Sequence, residues 1–279
     1  MRFGISTRLY RNERLSRAHL EDVAGHGFEA VELYATRPHF DYHDARAIDE
    51  LAGWLDQTGL TLHAIHAPVA ERLAGGQWVA PYSTAHADPT ERSAAMTALE
   101  AVLHVATRIE TRCLVLHLGV PSVLAPAPGV NDPRAACWAV EQVATLVAPL
   151  GMRAALEVIP NELSTPERLA ALLEEQVDAP AVGVCLDVGH AFLLGDLVDG
   201  IEALSGHLVT VHLHDNDGRV DEHLVPFDGS VDWPPALMAL QKLGYADRLI
   251  FELEPNGSPR ASLETARRAR RQIERMLAS

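Results

Sequence analysis

Six residues of metal-binding type recur along this chain of 279 residues, each closing a short apolar run. The runs end Ala64-Ile65-His66, Leu116-His117, Leu156-Glu157, Leu186-Asp187, Val211-His212 and Phe251-Glu252. One polar residue at the end of a buried strand is readily explained as a satisfied hydrogen-bonding group. Six in succession are poorly explained that way at ordinary composition. Carboxylate oxygens are hard donors and imidazole is borderline. Glu157, Asp187 and Glu252 with His212 therefore suit Mn2+, Mg2+, Co2+ or Zn2+ better than a thiolate-bound metal. His190 follows Asp187 by three residues, and Asp221-Glu222-His223 brings a further acid and imidazole downstream.

The elements that would position these residues alternate from end to end. Strand-like runs are expected at Phe3–Ser6, Ala30–Tyr34, Leu62–His66, Cys113–His117, Ala154–Val158, Val182–Asp187, Leu208–His212 and Leu249–Glu252. Most are continuously apolar, as strands buried on both faces should be. Helical segments lie between them. Asp88-Pro89-Thr90-Glu91, Asp132-Pro133 and Ser164-Thr165-Pro166-Glu167 read as helix starts, with a capping side chain before a proline in the first turn. Gly25, Gly59, Gly151 and Gly244 sit where helices should end. Parallel neighbours need crossover helices, so eight such repeats predict one domain over residues 1–279, an α/β fold closed as a (β/α)8 TIM barrel. An open doubly wound sheet is the rival, but no Gly-x-Gly-x-x-Gly follows the first strand. In a barrel all six strand-end residues would converge on one mouth. Two insertions, Pro68–Ala87 with Gly75-Gly76, Trp78 and Tyr82, and Gly119–Val130, would border it.

Composition narrows the function classes. The 23 basic and 38 acidic residues give a formal net charge of −15. That charge opposes loose association with phosphate backbones or anionic membranes, so nucleic-acid and membrane partners are not expected. Lys242 is the only lysine and falls in a helical segment, which nearly excludes a Schiff-base mechanism. The longest charge-free run, Cys113 to Val130, holds Pro121, Pro126 and Pro128 and cannot be a membrane helix. No apolar targeting segment follows Met1. Cys113, Cys137 and Cys185 are few and widely spaced, and read as reduced thiols of a cytoplasmic protein. The six arginines after Pro259 read as a solvated last helix.

The motifs together resemble the xylose-isomerase-like, endonuclease-IV-like barrel superfamily over nearly the whole chain. They are His63-Ala64-Ile65-His66-Ala67-Pro68, Leu116-His117-Leu118-Gly119, Leu156-Glu157-Val158, Leu186-Asp187-Val188-Gly189-His190, His212-Leu213-His214-Asp215-Asn216, Asp221-Glu222-His223 and Phe251-Glu252-Leu253. In one use of this barrel mouth, in sugar isomerases and epimerases, the resemblance implies a single divalent metal held by Glu157, Asp187, His212 and Glu252. In the other, the endonuclease branch, it implies three zinc ions. His66, His117, His190, Asp221 and His223 would then join the ligand set. All nine positions are filled, so ligand presence does not choose between the branches.

Neighbouring residues lean toward the first use. The endonuclease branch reads Asp-Thr-Cys-His and His-Leu-Asn-Asp-Ala-Lys. This chain has Asp187-Val188-Gly189-His190 and His212-Leu213-His214-Asp215-Asn216-Asp217, which is similar to the sugar-phosphate isomerase/epimerase group. That group's Pro-Gly-Glu-Gly turn stands here as Pro226-Phe227-Asp228-Gly229. The resemblance implies a metal-dependent isomerase or epimerase acting through an enediolate on a small sugar or sugar phosphate. Glu157 and Glu252 would exchange the proton, and His190, His66 and His117 would bind substrate. A tri-zinc hydrolase of abasic DNA and a metal-dependent dehydratase or lyase are the alternatives, and a homo-oligomer is open. Arg219 and Trp233 are candidates for substrate contact, and Asn256-Gly257-Ser258 for a phosphate turn. His63, on the opposite strand face from His66, is expected to pack between barrel and helices.

Overall fold

The computed structural model describes every residue except 75, 76, 256 and 279. Eight parallel strands close into a barrel. They are β1 (Arg2–Ser6), β2 (Ala30–Tyr34), β3 (Thr61–His66), β6 (Cys113–Leu116), β7 (Arg153–Glu157), β8 (Val182–Asp187), β9 (Leu208–Leu213) and β10 (Arg248–Phe251), and they run around the barrel in the order β1-β10-β9-β8-β7-β6-β3-β2. The expected strands match to within one residue at each end. Two further strands, β4 (Ala70–Ala74) and β5 (Gln77–Pro81), form an antiparallel hairpin within the first insertion, whose Gly75-Gly76 lies outside the described residues. The second insertion carries a single 3-10 turn, Ser122–Leu124. Asn131 ties it down, accepting from Val120 N at 2.9 Å and donating to Val120 O at 3.0 Å.

Helices α1 (Arg17–Gly25), α2 (Ala45–Thr58), α3 (Pro89–Val102), α4 (Pro133–Val147), α5 (Pro166–Ala171), α6 (Val188–Leu194), α7 (Leu197–Ala203), α8 (Trp233–Lys242) and α9 (Pro259–Leu277) surround the barrel. The expected starts hold. Asp88, Asp132 and Thr165 each accept a hydrogen bond from a first-turn backbone N–H, with proline at the first helical positions. Gly59 and Gly151 take the left-handed turn after their helices. After α1 that turn falls on Gly27 instead of Gly25. The last helix is solvated on its arginine face and buries Leu263, Ala266, Ala269 and Ile273. No described helix is long and apolar enough to cross a membrane.

The apolar core has two parts. The larger lies between strands and helices. The smaller comprises Ala64, Cys113, Val115, Ala155, Cys185 and Val209 and lines the barrel interior. Bulky branched side chains usually fill that interior. Here alanines and cysteines join two valines, and the space is shared with polar groups. His63 is one of them, which corrects the expectation that it packs against helices. Its Nε2 lies 3.1 Å from Thr210 Oγ1, on a strand across the barrel. The register between β2 and β3 shifts here, Val31 pairing with Leu62 but Glu32 with Ala64, so His63 is the extra residue of a bulge. A bulge re-aims the side chain that plain alternation would send outward.

Candidate metal centre

Barrel closure brings the strand-end residues together. Glu157 and Asp187 are the last residues of β7 and β8, His212 is next to last in β9, and Glu252 follows β10. One donor atom from each lies within 4.8 Å of the others, and all four residues are buried. His212 Nδ1 is 3.2 Å from Glu157 Oε1, 3.3 Å from Glu252 Oε2 and 3.8 Å from Asp187 Oδ2. Asp187 divides its work. Oδ1 caps α6 by accepting from His190 N at 2.8 Å and meets His214 Nε2 at 2.8 Å. Oδ2 is buried with no hydrogen-bond partner. An orphaned carboxylate oxygen aimed into a cluster of other acceptors is costly unless a cation is present. On that ground the residues fit a divalent ion.

Glu157 is shared with a second group. Its Oε2 lies 3.0 Å from His66 Nε2 and 2.9 Å from His117 Nε2, and the three residues again offer donors within 4.8 Å of one another. The Trp78 ring of the hairpin stands over His117, with centroids 5.9 Å apart.

The third group is carried by α6 and the segment after β9. His190, His214, Asp221 and His223 satisfy the same distance limit. Asp221 Oδ2 is 3.2 Å from both His190 Nε2 and His223 Nε2, and the His214 and His223 rings stack at 3.9 Å. One buried carboxylate shapes this segment. Asp215 accepts from Asn216 N, Phe227 N, Val231 N and Trp233 Nε1 at 2.9 to 3.0 Å. Trp233 is therefore an internal anchor, 1% exposed, and not a substrate contact. Two glycines permit the close packing. A Cβ on Gly189 would come within 2.1 Å of the His214 ring, and one on Gly229 within 2.3 Å of the Asp215 carboxylate. Gly229 thus gives the Pro226-Phe227-Asp228-Gly229 turn a structural role.

Charge pairing outweighs burial at most groups of the centre, whereas burial and then Arg8 hold the His223 imidazole low. Burial opposes ionisation of Glu157, but His117 and His66 hold its carboxyl well below the usual range. Burial acts the same way on Glu252, and His212 and His223 prevail. Asp187 and Asp221 are likewise held low, against burial, by the neighbouring imidazoles. Burial alone would depress the His66 and His190 imidazoles. Glu157 instead raises His66 to about 9, and Asp187 with Asp221 raises His190 to about 10.

Several contributors escaped the sequence reading. Glu32, fully buried on β2, places Oε2 2.8 Å from His212 Nε2. Its one signal was an acid inside the otherwise uncharged strand Ala-Val-Glu-Leu-Tyr. Arg8, just past β1, puts Nε 3.8 Å from Glu252 Oε1, and with Arg11 it engages Glu254. His214, noted above within its motif, has Nε2 2.8 Å from Asp187 Oδ1. Of the phosphate-turn candidate, Ser258 caps α9 and Asn256 lies outside the described residues. Glu32 also alters the charge balance. Glu157, Asp187 and Glu252 around one divalent ion leave −1, and Glu32 makes it −2. Three such ions with Asp221 included would leave +1.

The model of a family described as xylose isomerase-like TIM barrel matches residues 20–276. A D-tagatose 3-epimerase-like protein has a similar structure, with a TM-score of 0.80 at 21% identity, covering 100% of this chain and 97% of that one. The IolI protein, solved with a bound zinc atom, gives 0.76 at 16% identity, covering 98% of each chain. An AP endonuclease, family 2, from Brucella melitensis gives 0.73 at 21%, covering 94% of this chain and 97% of that one. At these identities the likeness is one of fold.

Proposed function

Because the chain belongs to the xylose isomerase-like TIM-barrel family, we propose that it is a divalent-metal-dependent isomerase or epimerase of a small sugar or sugar phosphate. The observation that carries this reading is the way two glutamates divide their oxygens. Glu157 Oε1 and Glu252 Oε2 face His212 Nδ1. Glu157 Oε2 and Glu252 Oε1 turn to other partners. Glu157, Asp187, His212 and Glu252 would hold the ion, and when bound it would supply Lewis-acid polarisation of adjacent carbonyl and hydroxyl oxygens.

The chain's own residues would then move the proton. One glutamate takes it from the carbon next to the carbonyl. The other returns a proton to the opposite face for epimerisation, or to the neighbouring carbon for isomerisation. His66 and His117 beside Glu157, and His212 and His223 beside Glu252, keep both carboxylates ionised. His190, anchored by Asp187 and Asp221, is positioned to hold a substrate oxygen, and Trp78 offers an apolar wall beside His117. The test is turnover of ketoses, aldoses and their phosphates by the metal-loaded protein, with solvent deuterium followed at the carbon next to the carbonyl. Parental turnover in both Glu157→Gln and Glu252→Gln would refute the two-glutamate mechanism.

A second reading has its own observation. The two oxygens of Glu157 serve two donor groups, and a third group lies beside them. A trinuclear centre of +1 would suit a phosphodiester, as in an endonuclease-IV-like hydrolase of abasic DNA. Three tightly held zinc ions per chain with nicking of abasic DNA would favour this reading. One ion and no nicking would favour the first.

A further inference from the structure

The His212 ring is held from both edges. Its Nδ1 faces oxygens of Glu157, Glu252 and Asp187 at 3.2, 3.3 and 3.8 Å. Its Nε2 meets Glu32 Oε2 at 2.8 Å, and both side chains are fully buried. A neutral imidazole carries its one N–H on a single nitrogen. Carboxylate oxygens lie within hydrogen-bond distance of both edges, and the closer is Glu32 at Nε2, so a neutral ring that offers Nδ1 to a cation keeps its N–H at Nε2. The Nδ1 lone pair is then directed at the place where three carboxylate oxygens converge. Lone pair and anions repel one another unless a cation lies between them. Glu32 itself belongs to none of the donor groups. Its other oxygen is buried without a hydrogen-bond partner, so its contact with His212 is the polar contact that accounts for its burial.

From this geometry we infer that Glu32 is the positioning residue of the metal centre: it accepts the Nε2–H of His212 and thereby presents Nδ1 as the metal donor. The inference rests on the metal-dependent reading above. A carboxylate or carbonyl behind a ligating imidazole fixes its tautomer and ring orientation, and losing it typically weakens metal affinity about 10- to 100-fold. Glu32 lies 180 residues before His212 and reaches it only through barrel closure.

The experiment measures Zn2+ and Co2+ affinity by chelator competition for the parent, Glu32→Gln and Glu32→Leu. Thermal midpoints are recorded with and without metal. Affinity should fall about 10- to 100-fold, more in Glu32→Leu than in Glu32→Gln, because the amide oxygen can still accept the N–H. The gain in midpoint on adding metal should shrink in the same order. A merely structural role would lower the metal-free midpoint and leave affinity alone. Should Glu32→Leu fail to fold, the nearly isosteric Glu32→Gln and the ring nitrogen shifts of His212 in the Zn2+-loaded parent still decide. Nδ1 should be the coordinated nitrogen and Nε2 the protonated one. Parental affinity in Glu32→Gln, or coordination through Nε2, overturns the inference alone. A parent that binds neither ion overturns the metal-dependent reading and this inference with it.

Discussion

The quartet of Glu157, Asp187, His212 and Glu252 and the group of His190, His214, Asp221 and His223 sit side by side but are held differently. The first projects from strand ends locked in the barrel ladder, and its side chains are at most 3% exposed. The second depends on a helix start and a loop, and its Asp221 side chain is 38% exposed. His223 and Phe227 adopt left-handed backbone at φ 48° and 79°, which non-glycine residues avoid. The barrel ladder fixes the backbone from which its donors project, and Glu32 stands behind the His212 ring. The loop needs Asp215, whose four accepted hydrogen bonds offset that strain. Rigidity at one region comes from the sheet, and at the other from a single buried carboxylate.

The sharpest way to separate the two regions begins with the residues the quartet cannot lose. Glu157→Gln and Glu252→Gln should each lower turnover by about 10²–10⁴-fold or more. Glu157→Gln should have the larger effect, because its oxygens serve two donor groups. Equal losses in a steady-state assay would argue that the second group is idle. Asp187→Ala should remove tight metal binding altogether, leaving neighbouring carboxylates without a cation. Calorimetry giving the parental affinity would contradict the ligand assignment.

Asp215→Ala should divide the regions. It strands three buried donors and the part-buried Phe227 N, each buried one costing about 1–3 kcal/mol. A clearly lower thermal midpoint is expected, with loss of the loop group's geometry while the quartet still binds metal. Simultaneous loss at both would show that the barrel strands and Glu32 do not hold the quartet independently of the loop.

The pH response is expected to be smaller. His66 and His190 are raised from 6.5 to about 9 and about 10 in the folded chain. The stability they contribute is therefore full below pH 6.5 and lost as pH rises through 9 to 10. The depressed Glu157, Asp187, Asp221 and Glu252 contribute stability that is lost on acidification instead. Metal-free protein should thus lose stability between pH 6.5 and 10 in denaturant titrations. Metal uptake at neutral pH should release protons, and more of them if His66 and His190 also bind. The smallest effect is expected from Asp221→Asn, which touches only the exposed member. Quartet affinity should change less than about twofold, in line with a surface-accessible pair, and a larger change would mean that the two regions are coupled.

The strand ends and helix starts were legible because they are local. Continuous apolar runs mark strands buried on both faces, and Asp-Pro or Thr-Pro marks a helix start wherever it lands in the fold. Strand ends bearing His66, His117, Glu157, Asp187, His212 and Glu252 follow from the same pattern, since parallel strands in a barrel must share one C-terminal mouth. The contacts of Glu32, Arg8, Asp215 and His63 were not legible. Glu32 lies inside a strand and gains its meaning only when closure sets β2 across from β9. His63 turns inward because of a one-residue register shift that no alternation pattern records. The division of Glu157 between two groups depends on which way each carboxylate oxygen rotates. Sequence alone thus determined which donor types reach the barrel mouth, because side-chain chemistry and strand periodicity are properties of short segments. The tertiary structure decided which donors share an oxygen, which imidazole edge faces the centre and which carboxylate stands behind it, because those are relations between segments up to 180 residues apart.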